Sequence, residues 1–494
     1  MALLPVILAL ILGQLRLKPN FYELREYVPE TLNGALSVVG LSCLFVFAVA
    51  RIVANRLLDK IEAGEGDFQR IARLARLSRP ILTLFVLSLY AFQMGFAGWG
   101  FLVESPDGGL GFAAGQLHEF VKAKGPLWAQ WVVDREPAGF LLLVFNICAK
   151  YFLVFLPFLL MMLLSWAPML NIDRFLRGST WRMRAYLSFK LRNDILILLA
   201  PALLFQLIVD LMDNLKFTRF MSSGVYVPLF STGVAMLVVY LLAPFLMVCI
   251  WVTRPFPAGA LRDRLYAVCG RAGVKFRRLL IWDTMGGSVG NACVTGLMGP
   301  TRYILITDTL LQTMNDDEVE AVFGHELGHA RFLHFPFFFE FILSMIFVSA
   351  AIRHLAGWLV QNHAPFWIPL DYYGDISTFL AMTLTVGVYF GIFFGMASRR
   401  FERQADIFGA FVINNVSAFS SALMKVARLN GAAPDTPSWR HYSIAKRIDF
   451  LERARTDPKV LAGFERELKI LFIAFAALTA LAVVFTVILE LGII

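Results

Sequence analysis

The chain has 494 residues, of which 58% are hydrophobic and 16% are charged, whereas soluble domains carry roughly 25% charged residues and 45–50% apolar ones. This composition excludes an ordinary soluble protein, a disordered chain and a collagen-like chain. The five cysteines are scattered and show no CxxC spacing. We therefore expect free thiols, and neither a disulfide framework nor a thiolate metal site.

Eight apolar runs are long enough to cross a bilayer, which takes about 20 helical residues. They lie near residues 31–50, 80–101, 139–166, 195–212, 227–252, 336–359, 376–397 and 470–493. A ninth stretch, residues 2–15, is shorter and is followed, not preceded, by basic residues. We interpret it as a marginal anchor because a signal peptide has its basic residues first. The sequence thus predicts a mainly α-helical, multi-pass membrane protein.

Lysine and arginine alternate between rich and poor connecting segments. Of the 45 basic residues, 35 lie in segments 51–79, 167–193, 253–334 and 398–469. Basic residues are retained on the cytoplasmic side, so we expect these four segments to face the cytoplasm. This orientation, with attraction to anionic lipid headgroups, accounts for the net charge of +9. No nucleic-acid partner is needed to explain it.

Two of the cytoplasmic segments are long and mixed in polarity, so they can fold in water. In the first, a helix is predicted at 259–272 and strands at 278–282, 291–297 and 302–307, which together form a small α+β unit. The expected divisions are an N-terminal transmembrane region (1–252), an α+β catalytic segment (253–334), a transmembrane hairpin (335–397), a second catalytic segment (398–469) and a C-terminal transmembrane helix (470–494).

The sequence HELGH at residues 325–329 follows a helix N-cap signal at Asn315. Residues four apart lie on the same helix face, so His325 and His329 can converge on one metal ion while Glu326 lies beside it. The composition gives an expectation of about 0.003 chance matches to HExxH. This pattern is typical of a zinc site with two histidine ligands and a glutamate base.

A catalytic zinc usually has a third protein ligand and one open position. We expect Glu402 to be that ligand, because the predicted hairpin 336–397 returns the chain to the same side of the membrane. Asp406, one turn later, could accept the free N–H of a zinc-bound imidazole and so orient it. The alternative is that both carboxylates pair with neighbouring arginines on a solvated helix.

These motifs resemble the type I CAAX prenyl protease family and, more distantly, the bacterial heat-shock membrane metalloproteases. The residues that carry the resemblance are HELGH at 325–329, ERQAD at 402–406, NACVTG at 291–296, ILITDTLL at 304–311, and His441-Tyr442-Ser443 with Arg447. Two features depart from that family. Tyr442 stands where a proline is frequent, and the segments 2–15 and 470–493 are additional, as expected for a divergent or bacterial branch.

The resemblance implies one zinc ion held by His325, His329 and Glu402, with Glu326 as the base. It also implies that His441 and Arg447 stabilise the oxyanion or hold the substrate. A peptide could add as a strand beside Asn291 and Ala292, although ordinary packing would also explain that strand. The implied fold is a polytopic helical protein with a gluzincin-like catalytic domain on the cytosolic side, in a bacterial inner membrane or the endoplasmic reticulum.

The sequence leaves several alternatives open. The expected activity is a zinc metalloendopeptidase that acts either in CAAX-type processing of C-terminal peptides or in quality control of membrane proteins. The competing hypothesis is a zinc-binding transporter or binding protein without protease activity. Lys150 and Glu340 interrupt apolar spans, and they could line a water-filled cavity or form a structural pair. The oligomeric state is not predicted.

Overall fold

The computed structural model of the chain describes residues 32–63, 68–95, 99, 136–214, 226–287, 289–363, 381, 383–429, 435 and 442–490. The chain divides into two compact units. The first unit comprises Met1–Val252 together with Thr284–Ser288, and the second comprises Thr253–Asp283 together with Val289–Ile494.

The described part of the first unit is helical. Its helices are α1 (Leu32–Glu62), α2 (Phe68–Gly95), α3 (Glu136–Trp166), α4 (Leu170–Arg177), α5 (Met183–Lys190), α6 (Ile197–Asn214) and α7 (Tyr226–Ile250), with a π-helical turn at Leu191–Leu196. Residues 284–287 pack in this unit, where Trp181 Nε1 donates to the Thr284 carbonyl at 3.1 Å. A Cβ at Gly287 would lie 2.2 Å from the Trp181 ring, so only glycine fits there.

Seven helices among the described residues are long and apolar enough to cross a membrane. They lie at Gly34–Glu62, Arg70–Met94, Ile147–Arg177, Met183–Met212, Phe230–Ile250, His334–Leu359 and Pro458–Thr486. Each overlaps one of the eight predicted spans, so the prediction of a multi-pass helical membrane protein is confirmed. The first part of the remaining predicted span, 376–397, and the predicted anchor 2–15 lie outside the described residues.

The second unit combines a four-stranded sheet with helices. The elements are β1 (Thr253–Pro255), α8 (Ala260–Ala272), β2 (Arg278–Trp282), β3 (Ala292–Thr295), β4 (Tyr303–Thr307), α9 (Asp308–Thr313), α10 (Asp316–Arg331), α11 (His334–His363), a π-helix (Thr385–Phe394), α12 (Gly395–Ile413), α13 (Val416–Leu429), α14 (Ile444–Thr456) and α15 (Pro458–Glu490). The predicted helix and three strands of the α+β segment are confirmed, with ends that differ by at most two residues.

The sheet has the order β1-β2-β4-β3, with β2 and β4 parallel and the other two pairings antiparallel. All five residues of β4 are buried, as expected for the strand that lies between two neighbours and beneath packed helices. Strand β3 therefore lies at one edge of this sheet.

Helix α10 begins with a reciprocal capping box. The Asn315 side chain accepts from the Glu318 backbone N–H, and the Glu318 carboxylate accepts from the Asn315 N–H, both at 2.9 Å. Glu318 is also bound by Ser421 and Lys425 of α13, at 2.6 Å each. Burial raises the pKa of Glu318, but Lys425, Ser421 and the Asn315 N–H outweigh it and lower the pKa below its ordinary value. The start of the HELGH helix is thus fixed by the residues predicted to cap it.

Small residues allow α10 and α12 to cross at very short range. A Cβ built on Gly328 would lie 2.8 Å from the Ala405 Cα, and one built on Gly409 would lie 2.7 Å from the His325 backbone nitrogen. Gly324 likewise lies against the Gly409 backbone. Since the atoms in the way belong to the backbone, a larger residue would force the helices apart. The crossing brings the α12 segment around Ala405 next to the HELGH turn.

We predict that Gly328→Ala destabilises the protein by about 1–3 kcal/mol, the usual cost of overpacking a tight contact. The matched control is Gly463→Ala in α15, where an added Cβ meets nothing within 4 Å. Alanine is a better helix former than glycine, so the control should stabilise by about 0.5–1 kcal/mol. Thermal unfolding in detergent, followed by circular dichroism, measures both. Equal effects of the two substitutions would contradict the close crossing.

Candidate metal centre

Two imidazoles of α10 face each other across one helical turn. The Nε2 atoms of His325 and His329 lie 3.2 Å apart, and the ring planes meet at 83°. Both side chains are largely buried, with 13% and 16% of their surface exposed. The i, i+4 spacing thus places two nitrogen donors on one side of the helix, as the sequence predicts.

Glu402 reaches the same point from α12. Its Oε2 lies 3.6 Å from His325 Nε2, and its Oε1 lies 3.7 Å from His329 Nε2. Ligand atoms about 2.1 Å from a tetrahedral zinc ion lie roughly 3.4 Å from one another. The distance between the two Nε2 atoms is 3.2 Å, and the shortest distances from them to the Glu402 carboxylate are 3.6 and 3.7 Å, each to a different oxygen, which is close to that spacing. The set of two imidazole nitrogens and one carboxylate therefore fits zinc and leaves a coordination position open.

A buried ion pair between Asp406 and Arg447 contacts His325 on the side away from Glu402. The His325 Nδ1 atom lies 2.9 Å from Asp406 Oδ1, so the same imidazole contacts Glu402 on one side and Asp406 on the other. Arg447 donates to Asp406 through Nε at 2.8 Å and Nη2 at 2.6 Å, and its Nη2 lies 3.5 Å from Glu402 Oε2. The structure thus brings Asp406 to the position predicted for a residue that orients a zinc-bound imidazole.

The charged residues around His325 shift one another's pKa values. Burial raises the pKa of Asp406, but the Arg447 charge and hydrogen bonds outweigh it, so the pKa lies below its ordinary value. Burial lowers the pKa of His325, yet the hydrogen bond and charge of Asp406 raise it above its ordinary value. Burial, reinforced by the His325 charge, holds the pKa of His329 well below its ordinary range. Asp406 is therefore an anion, and the two imidazoles have unequal surroundings.

Glu326 projects toward the sheet. Its Oε2 accepts a hydrogen bond from the Val294 backbone N–H of β3 at 3.0 Å. Burial is the largest influence on this carboxyl and raises its pKa. A glutamate with a raised pKa beside a metal site is well suited to accept and return a proton near neutral pH.

Strand β3 presents alternate backbone groups to its outer edge. The Asn291 N–H donates to Thr307 Oγ1 and the Asn291 carbonyl accepts from the Thr307 N–H, each at 3.0 Å. Since backbone direction alternates along an antiparallel strand, the groups of Ala292 and Val294 point away from β4. Among the described residues no strand pairs with that edge. Of the two residues predicted to bind substrate, Ala292 therefore offers its backbone to a ligand, and Asn291 uses its backbone within the sheet.

Three further residues that the sequence singles out are His441, Lys150 and Glu340. His441 lies outside the described residues, although the adjacent Tyr442 ring lies 3.9 Å from the Arg403 guanidinium carbon. Glu340 is exposed on α11, and the Lys150 ammonium lies 5.6 Å from the Tyr151 ring centroid. The choice between a polar cavity and a pair for Lys150 and Glu340 stays open.

The sequence reasoning missed two residues of the centre. The Nδ1 atom of His334 lies 2.8 Å from His329 Nδ1, because the chain bends between α10 and α11. On its other side, His334 Nε2 lies 2.9 Å from Gln404 Oε1. The sequence feature that could have indicated His334 is a histidine five residues beyond the motif, at the start of an apolar span.

Comparison with known proteins identifies the segment that carries this centre. The profile of peptidase family M48 matches residues 258–461, which include the HELGH helix, Glu402, Asp406 and Arg447. This segment of the chain is thus similar to peptidase family M48. The resemblance to type I CAAX prenyl proteases that the sequence motifs indicate is confirmed.

Relatives of the M48 segment come from two groups. A CAAX prenyl protease 1 homolog from Oryza sativa subsp. japonica is 25% identical over 213 residues, which are 40% of this chain and 49% of that protein. A protease HtpX homolog from Pyrococcus furiosus is 26% identical over 212 residues, covering 40% of this chain and 69% of that protein. The chain spans about half the length of the plant relatives that it matches, at 49% and 46%.

Among solved structures, the crystal structure of S. mikatae Ste24p aligns with a TM-score of 0.48 and 17% sequence identity. The alignment covers 85% of this chain and 99% of that one.

We predict that Arg447→Met destabilises the protein by about 3–5 kcal/mol, because it leaves the buried Asp406 carboxylate without its arginine partner. Arg453→Met on the same helix is the matched control, since Arg453 and Asp449 form an exposed pair at 2.8 Å. Exposed pairs contribute about 0–1 kcal/mol. Unfolding in detergent, monitored by circular dichroism, compares the two. A loss in Arg447→Met no larger than in the control would contradict a structural role for the pair.

The same pair predicts a pH dependence. Because the pKa of Asp406 is lower in the folded than in the unfolded protein, the ion pair contributes its full stability above the ordinary aspartate pKa of about 3.9. That contribution is lost as the pH falls through the folded value. The difference in free energy of unfolding between the wild type and Arg447→Met should therefore shrink in acid and be constant near neutrality. Unfolding experiments at a series of pH values test this. A difference that grows below pH 4 would contradict this account.

Proposed function

We propose that the chain is an integral-membrane zinc metalloendopeptidase with its active site at His325, Glu326, His329 and Glu402. The observation that carries the proposal is the convergence of two imidazole nitrogens and one carboxylate group, from two helices, with shortest separations of 3.2 to 3.7 Å. A buried glutamate that follows the first ligand lies beside them, which is the arrangement of metal-dependent peptide hydrolysis.

The roles of the residues follow from their surroundings. A zinc ion bound by His325, His329 and Glu402 would supply Lewis-acid polarisation of a peptide carbonyl and would acidify water. Glu326 is the general base, because it is buried and its raised pKa suits proton transfer to and from water and the leaving amine. Asp406 and Arg447 hold His325 and Glu402 in place through the contacts described above.

Stabilisation of the negative oxygen of the transition state is proposed for His441 and Arg447, as the family resemblance implies. Arg447 is buried, and its guanidinium lies 3.5 Å from a carboxylate oxygen of Glu402, so its positive charge acts directly on the metal centre. This charge also offsets the negative charges of Asp406 and Glu402. Favourable electrostatics at a water-poor site are worth most when they are fixed in advance.

Strand β3 is the proposed binding edge for a peptide. The outward backbone groups of Ala292 and the outward carbonyl of Val294 can pair with an extended substrate, which gives affinity with modest side-chain selectivity. The Val294 N–H binds the Glu326 carboxylate, so the base is tied to the edge along which the peptide would lie. The position of the base relative to a bound peptide is thereby fixed. Asn291 is proposed to contribute through its exposed side chain.

The surroundings of the centre favour catalysis over metal transport. Transporter ligands lie near the bilayer midplane on broken helices, whereas HELGH lies in α10, before the candidate span that begins at His334. Transport would also give no role to Glu326, a buried carboxyl beside the three ligands. The distribution of basic residues supports a position on the cytoplasmic side of the membrane.

The substrate is proposed to be a peptide or protein, with either CAAX-type processing or membrane-protein quality control as the task. Purified wild-type protein should be given a C-terminally farnesylated peptide, the same peptide without the lipid, and unfolded casein. Preference for the farnesylated peptide supports processing, and equal cleavage of casein supports quality control.

We predict that Glu326→Gln retains zinc but loses peptide cleavage by at least about 100-fold, the lower end of general acid–base contributions. The amide oxygen of glutamine can still accept from Val294, so the fold should be unchanged. Asp317→Asn, at a largely exposed position of the same helix, is the control for charge removal and should cleave normally. Zinc content and cleavage of casein are the two measurements. Retained cleavage by Glu326→Gln would overturn the assignment of the base.

We predict that Glu402→Ala weakens zinc binding by at least about 100-fold and abolishes cleavage, because it removes one of three ligands. Glu452→Ala, which loses a half-exposed carboxylate on α14, should keep both properties. Competition with a chelating dye measures the affinity. Unchanged zinc affinity in Glu402→Ala would show that the third ligand lies elsewhere.

A further inference from the structure

We propose that His334 and Gln404 form a positioning pair for the zinc ligand His329. The inference rests on the proposed metal site, because it concerns how one of its ligands is oriented. It adds two residues that neither the HELGH motif nor the ligand set contains. Both lie on the side of His329 that faces away from His325 and Glu402.

If His329 binds zinc through Nε2, the position of each proton in the contacts between His329, His334 and Gln404 follows. A histidine that binds metal through Nε2 must carry its proton on Nδ1, so His329 donates from Nδ1. The atom 2.8 Å away is His334 Nδ1, which must then accept. His334 consequently carries its proton on Nε2, where Gln404 Oε1 lies 2.9 Å away as an acceptor. Each donor meets one acceptor, and the tautomer of both imidazoles is specified.

The His334 ring is held firmly enough to orient another residue. It is 1% exposed and stacks on the Phe401 ring, with centroids 4.1 Å apart and planes inclined by 5°. Phe401 and Gln404 both lie on α12, as does the ligand Glu402. The ring is therefore fixed in its plane by stacking and in its rotation by the two hydrogen bonds. Since His334 is the first residue of α11, the start of a candidate membrane span is fastened to the metal site.

The two histidine ligands are thus supported by different chemistry. His325 is held by the anion Asp406, whose charge is in turn offset by Arg447. His329 is held by a neutral imidazole backed by a neutral amide. A carboxylate on both ligands would add a further buried negative charge next to Glu402 and Asp406, and unpaired buried charge is costly. A neutral partner fixes the ring orientation of His329 without that cost.

A purely structural role for His334 makes a different prediction. If the residue only filled space against Phe401, an aromatic ring of similar size would replace it without effect on the metal. If His334 accepts a hydrogen bond from His329, zinc affinity depends on whether the residue at position 334 has an acceptor atom. Groups that bind the outer nitrogen of a ligand histidine typically contribute 10- to 100-fold to metal affinity.

The test compares His334→Phe, His334→Asn and the control His363→Phe in the full-length detergent-solubilised protein. Phenylalanine keeps the stacking on Phe401 but removes the acceptor. Asparagine places an oxygen as many bonds from Cα as Nδ1 of histidine, so it retains an acceptor for His329. His363 is an exposed histidine at the other end of α11. Zinc affinity is measured by competition with a chelating dye, and the metal-free proteins are compared by thermal unfolding.

We expect His334→Phe to weaken zinc binding by roughly 10- to 100-fold, His334→Asn to recover at least part of the loss, and His363→Phe to match the wild type. The inference is overturned if His334→Phe binds zinc as tightly as the wild type, or if His334→Asn loses as much as His334→Phe. Should His334→Phe fail to fold, Gln404→Leu replaces it, and unchanged zinc affinity in that variant overturns the inference. Absence of zinc binding by the wild type would instead refute the proposed function.

Discussion

The backbone-to-backbone approach of α10 and α12 is the constraint on which the centre depends. Glu402 is a metal ligand in this account only because Gly328 and Ala405 let the two helices come close enough for its carboxylate to reach both imidazoles. The HELGH turn thus has two functions in one sequence: its histidines supply donor atoms, and its glycine supplies room for the helix that brings the third donor.

Electrostatic balance is the second requirement of this buried site. Two carboxylates, Glu402 and Asp406, lie on one face of α12, and together they would be unstable in a water-poor interior. Arg447 from α14 lies within 3.5 Å of both. The arginine therefore lets α12 present both the proposed ligand Glu402 and the proposed orienting anion Asp406. The neutral His334–Gln404 pair completes the support on the other side without adding charge.

Much of this arrangement was predictable from the sequence, and the reasons are physical. HELGH, Asn315 as the cap and the three strands follow from local spacing and turn chemistry, so local patterns are sufficient. Glu402 and Asp406 required an argument about chain return through a hairpin. His334 was not predicted because its place depends on a bend with Leu333 at φ 55°, which a face-of-helix argument ignores. The Gly328–Ala405 approach was missed because contact between two helices leaves no periodic signal in either one.

The most direct measurement is X-ray absorption spectroscopy at the zinc edge of the purified, zinc-loaded protein. The proposed ligand set predicts a first coordination shell of nitrogen and oxygen only, at about 2.0–2.2 Å, with two imidazoles and one carboxylate. Scattering from sulfur, or a shell with three imidazoles, would contradict the account, as would a shell unchanged by removal of the Glu402 carboxylate.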